Sequence, residues 1–241
     1  MRILILLLLF QSLVFSADFQ TRLSISLGPN ITFSTAKHSF YEQYNGFRVG
    51  GSKITINTLL AAGYNHRIKN DILKSISVLA ETGYNFSGYI RPTNGDFGNE
   101  GGIFFFHSLV LGLIPILNFY NNLSLGIGAG VMFPLSADID GYWDFMGYYK
   151  GVEKLSFNDI KKLYKFPVMP YVKISVERYF NLSDIIDMIV GGIISYNFGM
   201  SCEKDILSKA RYGLSPFSYE SYKFSAITLE VFIAVGFGRP K

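Results

Sequence analysis

The segment Thr21–Phe33, TRLSISLGPNITF, places an apolar residue or a proline at every second position from Leu23 onward. The positions between them hold only Arg, Ser, Gly, Asn and Thr. A period of two is typical of a β-strand with two unlike faces. Soluble strands usually have about 5 to 6 residues, whereas a run of this length suits a strand that crosses a bilayer at a tilt. The segment therefore predicts one strand of a membrane barrel.

Further segments share this alternation and are bounded by residues typical of turns. Short polar links follow the second, fourth and sixth strands, and long connections follow the odd-numbered ones. Outer-membrane barrels have short periplasmic turns and long extracellular loops in this arrangement. We therefore expect an all-β fold, an eight-stranded antiparallel up-and-down transmembrane β-barrel. Its strands are predicted at 21–33, 52–66, 74–90, 102–117, 123–137, 166–179, 188–201 and 222–237.

Two of the segments do not alternate cleanly. The fourth, IFFFHSLVLGLIPIL, is apolar at both parities, and in the last segment Tyr222 and Phe224 are out of phase with the apolar residues from Ile227 to Phe237. A β-bulge that shifts the register by one residue would restore the alternation in each. The alternative is a segment buried in a soluble fold.

Residues 1–17, MRILILLLLFQSLVFSA, combine one Arg, an apolar run and a small-residue exit. This layout predicts a secretory signal peptide, with cleavage after Ser16 or Ala17. The alternative is a retained anchor. The barrel domain is then expected to span 18–241. No later apolar stretch reaches the ~18 residues that a spanning helix needs, so a membrane crossing would have to be made by strands.

The charge balance and the cysteine content exclude two classes of protein. The chain has 22 Lys and Arg residues against 18 Asp and Glu, and Arg2 belongs to the signal segment. Such a mild excess, without a clustered basic face, does not indicate a nucleic-acid partner. The single cysteine, Cys202, excludes an internal disulfide framework.

Six charged residues fall on the parity that this register directs into the barrel. A small barrel has room inside only for modest side chains, whereas lipid accepts bulky ones. Isolated charges in a narrow lumen are costly, so a balanced set implies pairing. Lys173 and Glu177 share one strand face, and Glu81 or Glu230 could be cross-strand partners. The set forms either a polar core that plugs the barrel or a gated ion path, and comprises Arg22, Lys53, Glu81, Lys173, Glu177 and Glu230.

Aromatic residues gather toward the predicted strand ends. Two rings of such residues are typical of the two interfaces of a bilayer, whereas in a soluble barrel they would be core residues. The group near the short links comprises Tyr64, Phe119, Tyr120, Tyr179 and Phe180. The group near the long connections comprises Phe33, Tyr84, Phe86, Tyr89, Phe166, Tyr196, Phe198 and Tyr222.

With the signal segment, the eight alternating segments, the loop asymmetry and the inward charges, the chain resembles the small OmpA/OmpX-type and Opa-like outer-membrane β-barrels of Gram-negative bacteria. The resemblance implies localisation in the bacterial outer membrane, with outer-membrane lipid and the barrel assembly machinery as partners. The final segment LEVFIAVGF, ending at Phe237, looks like the closing strand that this machinery reads. Here GRPK follows it, which departs from the family pattern.

The residue pattern does not indicate catalysis. His107 and Ser108 are adjacent on a strand and so face opposite sides. His38 and His66 have no arranged serine and acid, and the His-x-Ser pattern of lipid A deacylases of this shape is missing. No metal-ligand cluster or phosphate-binding glycine loop is present. We expect no catalytic site, cofactor or metal, and a lipid-modifying enzyme remains an alternative.

The longest connection, 138–165, contains two features. SFNDIKKLYK, opening with Ser156 and Asp159, predicts a short capped helix. Before it, five aromatic residues within eight positions are typical of a recognition surface, or else pack on one another: Tyr142, Trp143, Phe145, Tyr148 and Tyr149. We expect a surface scaffold that displays loops for adhesion or for host or envelope contact. The alternatives are a narrow porin-like channel and a soluble lipocalin-like carrier.

Overall fold

The computed structural model describes residues 19–38, 46–68, 71–90, 103–140, 153–164, 166–203 and 219–238. The predicted signal peptide lies outside these residues. Within them the chain forms ten strands and one helix: β1 (Phe19–His38), β2 (Gly46–Arg67), β3 (Leu73–Ile90), β4 (Ile103–Phe119), β5 (Leu123–Asp140), β6 (Glu153–Ser156), α1 (Phe157–Leu163), β7 (Met169–Asn181), β8 (Ile186–Asn197), β9 (Ser201–Glu203) and β10 (Tyr219–Phe237). In this part of the chain, no helix is long and apolar enough to span a membrane.

Eight of the strands form a closed antiparallel barrel. The order around it is β1-β2-β3-β4-β5-β7-β8-β10, and β10 pairs with β1 to complete the ring. The two short strands are extensions, because β6 pairs with the end of β5 and β9 with the start of β10. The prediction of an eight-stranded up-and-down barrel is therefore confirmed.

The strands tilt strongly around the barrel axis. Following the paired residues from Thr21 through each strand in turn leads back to β1 at Ile31, ten residues further along the strand. An offset of this kind goes with a tilt of about 35–45°. A barrel of eight strands leaves an interior that side chains can fill.

The two faces of the wall differ as the alternation predicts. On β1, Leu23, Ile25 and Leu27 are about half exposed on the outside, whereas Arg22 and Ser26 are buried inside. The same division runs round the barrel, and the outward residues at the strand centres carry no charge. The outward apolar set includes Ile54, Ile56, Leu60, Val78, Leu109, Leu111, Leu113, Ile127, Val172, Ile174, Val176, Ile194, Leu229, Val231 and Ile233. A belt of this kind matches the hydrocarbon of a bilayer.

The two ends of the barrel also differ. At one end, which we call the turn end, three links of a few residues join β2 to β3, β4 to β5 and β7 to β8. Asn122 in the second of these links adopts a left-handed conformation, with φ of 61°, which suits a tight turn. At the opposite end, the loop end, the connections are long, and segments 39–45, 91–102, 141–152 and 204–218 lie outside the described residues.

The two predicted register shifts within strands are wrong. Phe106, Val110, Ile114 and Ile116 of β4 all face the lumen on one parity, and no bulge interrupts that strand. Phe224 is buried inside β10 on the same parity as the other inward residues of that strand. The reason is that parts of the lumen are themselves apolar, so both faces of β4 meet apolar surroundings.

A bulge does occur beside β4, on β5. Ser108 is opposite Pro134 and His107 is opposite Ser136, so Leu135 is an extra residue on β5. The bulge fits the proline, which disfavours regular pairing. Beyond it the phase of β5 reverses, so that Ala137 points inward and Asp138 outward.

Several strand boundaries differ from the prediction, and the largest differences are that β1 extends to His38 rather than 33 and that β2 begins at Gly46 rather than at 52. β7 begins at Met169 rather than at 166, and β8 ends at Asn197 rather than at 201. Gly199, between β8 and β9, has φ of +64°, and a Cβ there would lie 1.7 Å from the carbonyl oxygen of Phe224. A left-handed residue with a carbonyl this close requires glycine, and it breaks the strand at this point.

The helix α1 closes the loop end of the lumen. Ser156 caps it, and the Asp159 side chain accepts from the Ser156 backbone at 3.1 Å, which confirms the predicted capping box. The Ser156 hydroxyl also donates to the Asp159 carboxylate, at 2.6 Å, and these two hydrogen bonds, the one from the hydroxyl foremost, hold the pKa of the Asp159 carboxyl below its ordinary value. The buried face of α1 consists of Ile160 and Leu163. These pack into an apolar cluster, here called the loop-end plug, of Tyr89, Phe106, Met132, Ala137, Leu155, Ile160, Leu163, Tyr164, Met169, Met200 and Phe224.

Candidate functional site

The lumen near the turn end is filled by a neutral hydrogen-bond network. The Asn118 side chain lies at its centre and donates to Ser77 at 2.8 Å and to Asn65 at 3.3 Å. Its carbonyl oxygen accepts from Ser124 at 2.8 Å. These residues lie on the four neighbouring strands β2 to β5, so the network joins half of the wall along its inner face.

The first charged group is an ion pair between Arg22 and Glu177. Nη1 of Arg22 lies 2.9 Å from both carboxylate oxygens of Glu177. The carboxylate also accepts from Ser175 at 2.9 Å and from Tyr179 at 3.1 Å. Both ionised groups are buried. Such a pair persists in a low-dielectric interior only because each charge is matched and hydrogen-bonded.

The second charged group joins Glu81 to Lys173. Nζ of Lys173 and the hydroxyl of Tyr171 each donate to the Glu81 carboxylate at 2.6 Å. Gly112 leaves room for this contact, because a Cβ there would lie 2.3 Å from the Tyr171 oxygen and 2.9 Å from Oε1 of Glu81. The glycine is therefore required by close packing inside the lumen.

Glu230 has no cation at ion-pair distance among the described residues. Its carboxylate accepts instead from the Ser26 hydroxyl and from Asn57 at 2.6 Å. Asn57 in turn accepts from Asn85 at 2.7 Å. Lys53 faces the lumen as well, half-buried on the loop-end side, and it makes no ion pair with a described residue.

The ion pairs agree in part with the partnerships expected from the sequence, because Glu81 is one of the two cross-strand partners named there. Lys173 contacts Glu81 and not Glu177, its neighbour on the same strand face. Arg22 and Glu177 lie on β1 and β7, which are not adjacent, and Glu81 and Lys173 face each other from β3 and β7. The structure therefore brings together Arg22 with Glu177 and Glu81 with Lys173, while Glu230 and Lys53 stand apart from both pairs.

Two tyrosines of the lumen were assigned to the aromatic belts by the sequence, and that assignment is wrong. Tyr179 is buried and donates to Glu177, and Tyr89 is buried in the loop-end plug. Tyr171 is a third lumen tyrosine, to which the clustering of aromatic residues at strand ends does not point. The signal for all three was their parity, since each shares the inward phase of its strand.

The described lumen contains small cavities, and two of them lie toward its opposite ends. One, toward the loop end, offers about 30 Å³ to the centres of water molecules and is lined by Asn57, Asn85, Lys173 and Glu230 among others. Another, near the turn end, offers about 10 Å³ and is lined by Gln20, Arg22 and Tyr179 among others. They share no lining residue. The loop-end plug lies beyond the larger one, and buried side chains occupy much of the described lumen.

The outer wall carries aromatic residues near both ends of the belt. Near the turn end, the exposed group is Tyr64, Tyr120 and Phe180. Near the loop end, Tyr196 packs edge-on against Phe198, with ring centroids 4.9 Å apart. Tyr84 and Phe166 are also exposed near this end. Rings at these two levels suit the two interfaces of a bilayer.

The remaining positions named from the sequence are the histidines and the aromatic residues of the longest connection. His107 faces outward while Ser108 is buried inside, so the two cannot act as a nucleophile and base. His66 is exposed near the turn end. The loop residues Tyr142, Trp143, Phe145, Tyr148 and Tyr149 lie outside the described residues.

A closed antiparallel barrel with an apolar outer belt and an ionised interior defines the class of protein: a small eight-stranded outer-membrane β-barrel. No family model and no curated protein matches the chain. Among solved structures, it is similar to Neisserial surface protein A, with 12% identity over 93% of this chain and 98% of that chain, and a TM-score of 0.36.

Two further structures show a comparable similarity. The outer membrane protein OprG from Pseudomonas aeruginosa has 12% identity, covers 91% of this chain and 94% of its own, and has a TM-score of 0.41. Ail, the attachment invasion locus protein of Yersinia pestis, solved in complex with the heparin analogue sucrose octasulfate, has 12% identity over 89% of this chain and 98% of its own, with a TM-score of 0.33. At this level of similarity, the assignment of the fold rests on the strand pairing of the chain itself.

Proposed function

We propose that this barrel is a non-enzymatic scaffold of the bacterial outer membrane that displays its loop-end connections at the cell surface for adhesion or for contact with host or envelope components. The observation that carries the proposal is the filled lumen. Buried ion pairs occupy its middle and the loop-end plug covers its outer end. A barrel closed in this way anchors and presents its loops.

The orientation follows from the unequal ends. Short links suit the periplasmic side, and the long connections then face outward. Five aromatic residues of segment 141–152 would lie in one of these outward loops. Exposed aromatic side chains with polar neighbours are what recognition surfaces use.

The test has a conduction arm and a binding arm. In planar bilayers the protein should give no sustained unit currents, whereas currents that change in Glu81→Gln or Lys173→Gln would support the narrow porin instead. On whole cells, replacing residues 141–149 by a Gly-Ser linker of equal length should abolish attachment to host matrix or to neighbouring envelopes. Replacing 92–100 in the same way provides the matched control. Unchanged attachment after both replacements would contradict display.

A further inference from the structure

A polar cluster lies on the outer surface of the barrel at its loop end, outside the lumen network. The hydroxyl of Tyr84 on β3 is hydrogen-bonded to Nδ1 of His107 on β4. Nε2 of the same imidazole lies 3.4 Å from Oδ2 of Asp138 on β5. The His107 and Asp138 side chains are 28% and 29% exposed. The cluster therefore spans three strands and remains open to a ligand.

The bulge on β5 creates this cluster. Without the extra residue Leu135, the phase of β5 would direct Asp138 into the loop-end plug. With it, Ala137 takes the plug position and Asp138 faces outward toward His107. Lys154 of β6 is directly opposite Asp138 in the register and is exposed. Opposite residues of an antiparallel pair share a face, so Lys154 adds a cation to the cluster.

Aromatic rings flank the polar groups. Phe86 and Phe105 are stacked with ring centroids 5.4 Å apart and an angle of 2° between their planes. The imidazole of His107 lies 5.1 Å from the Phe86 ring. These rings form a flat apolar shelf beside a carboxylate, an imidazole, a phenol and an ammonium group. Together the six residues Tyr84, Phe86, Phe105, His107, Asp138 and Lys154 are called the outer-face patch.

The position of the patch on the barrel wall indicates the kind of ligand that it binds. Directly below it on the same strands, the outward residues Leu109, Leu111 and Val131 belong to the apolar belt. A lipid whose acyl chains cover these residues places its headgroup at the level of the patch. The shelf suits the apolar faces of sugar rings, and Asp138 and Tyr84 suit sugar hydroxyls. Lys154 suits a phosphate group, and His107, whose two ring nitrogens contact Tyr84 and Asp138, positions these two side chains.

We propose that the outer-face patch binds the phosphorylated sugar headgroup of an outer-leaflet glycolipid. The proposal rests on the orientation given above, in which the loop end faces outward. It does not depend on whether the loops attach to a host or on whether the lumen conducts.

The experiment titrates three lipids onto the full-length protein in detergent and counts bound lipid by native mass spectrometry. The probes are a short-sugar lipopolysaccharide, phosphatidylglycerol, which has phosphate without sugar, and an uncharged glycolipid, which has sugar without phosphate. We expect the lipopolysaccharide to bind at least about tenfold more tightly than either of the others, because only it can use both halves of the patch. Equal binding of all three would overturn the proposal.

Two variants and one control locate the binding. His107→Gln with Lys154→Gln should weaken lipopolysaccharide binding about tenfold, and Tyr84→Phe should weaken it less. Tyr196→Phe removes a hydroxyl from the loop-end aromatics on β8, away from the patch, and should leave binding unchanged. An altered gel mobility of unboiled samples confirms folding of each variant. A loss in Tyr196→Phe equal to that in the patch variants, or a dimer that the patch variants abolish, would assign the patch to another role.

Discussion

At the scale of single residues, the buried charges of the lumen form ion pairs across the barrel and not along one strand. Arg22 and Glu177 lie on strands that are not adjacent in the barrel wall, and the same is true of Glu81 and Lys173. Alternation identifies which residues face inward, but their partners follow from the tilt of the strands and the offset at closure. The sequence therefore predicts the set of inward charges and offers Glu81 or Glu230 as cross-strand partners, but it does not decide between these pairings.

Removing one member of the buried pair should destabilise the barrel strongly. Glu177→Gln leaves the Arg22 guanidinium buried without a counter-charge, which should lower the free energy of unfolding by about 3–5 kcal/mol. Urea unfolding in lipid vesicles measures the change. Replacing both partners, Arg22→Met with Glu177→Leu, should recover most of the loss, since no charge is left unmatched. If the unfolding free energy of Glu177→Gln lay within about 1 kcal/mol of the wild-type value, the pair would not be desolvated.

A glycine of the lumen gives a second residue-scale prediction. Gly112→Ala would place a methyl group against the Tyr171 hydroxyl and the Glu81 carboxylate, so the Glu81–Lys173 contact must shift. Overpacking of this kind costs about 1–3 kcal/mol. Gly192→Ala is the control, because the nearest atom to its Cβ lies at an ordinary 3.7 Å. Equal unfolding free energies for the two variants would contradict the packing described around Tyr171.

At the scale of elements, alternation predicts all eight strands because lipid and lumen are different solvents for the two faces. Alternation does not distinguish the inner from the outer face of β4, because the lumen is apolar beside Phe106 and Ile114. Alternation alone does not locate the bulge on β5, although a proline at position 134 favours a bulge there, and it misses the break at Gly199, which depends on a close contact with Phe224. The helix α1 was predictable, because its capping box is local to Ser156 and Asp159.

The cap of α1 should control both the helix and the titration of Asp159. Because the folded-state pKa of Asp159 is lowered, its contribution to stability is present above the unfolded value of about 3.9 and is lost as pH falls through the folded value. Ser156→Ala removes the hydroxyl donor, so the Asp159 pKa should rise toward its ordinary value. Carboxyl NMR titration checks this. Hydrogen exchange in residues 157–163 should also accelerate in the variant, and Asn158→Ala is a neighbouring control.

The loop-end plug should contribute to stability as a folded core does. Phe106→Ala removes a ring that is fully buried among Tyr89, Tyr164 and Phe224, and should cost about 3–5 kcal/mol. Phe133→Ala on β5 removes an outward ring, where lipid can fill the space, and should cost less. Unfolding free energies in vesicles compare the two. A larger cost for Phe133→Ala would contradict the packed plug.

At the scale of the whole molecule, the fold inverts the arrangement of a soluble protein. Apolar side chains cover the outside, whereas hydrogen-bonded and ionised groups occupy most of the interior. Closure of β10 on β1 leaves no free edge in the barrel wall, which a bilayer requires because exposed backbone groups have no partners there. The anchoring of the chain thus follows from the wall, and we propose that its contacts with other molecules are made at the loop end.

The direction in which the two parities face is tested most directly by quenching from lipid. In a Cys202→Ser background, single cysteines carrying a fluorophore are introduced at the outward positions Leu27, Ile174 and Leu229, and at their inward neighbours Ser26, Ser175 and Thr228. The protein is then inserted into vesicles that contain lipid with nitroxide-labelled acyl chains. Fluorescence at the outward positions should be quenched strongly and fluorescence at the inward ones only weakly. Equal quenching of both sets, or stronger quenching at the inward positions, would contradict a barrel with an apolar outer face and a charged interior.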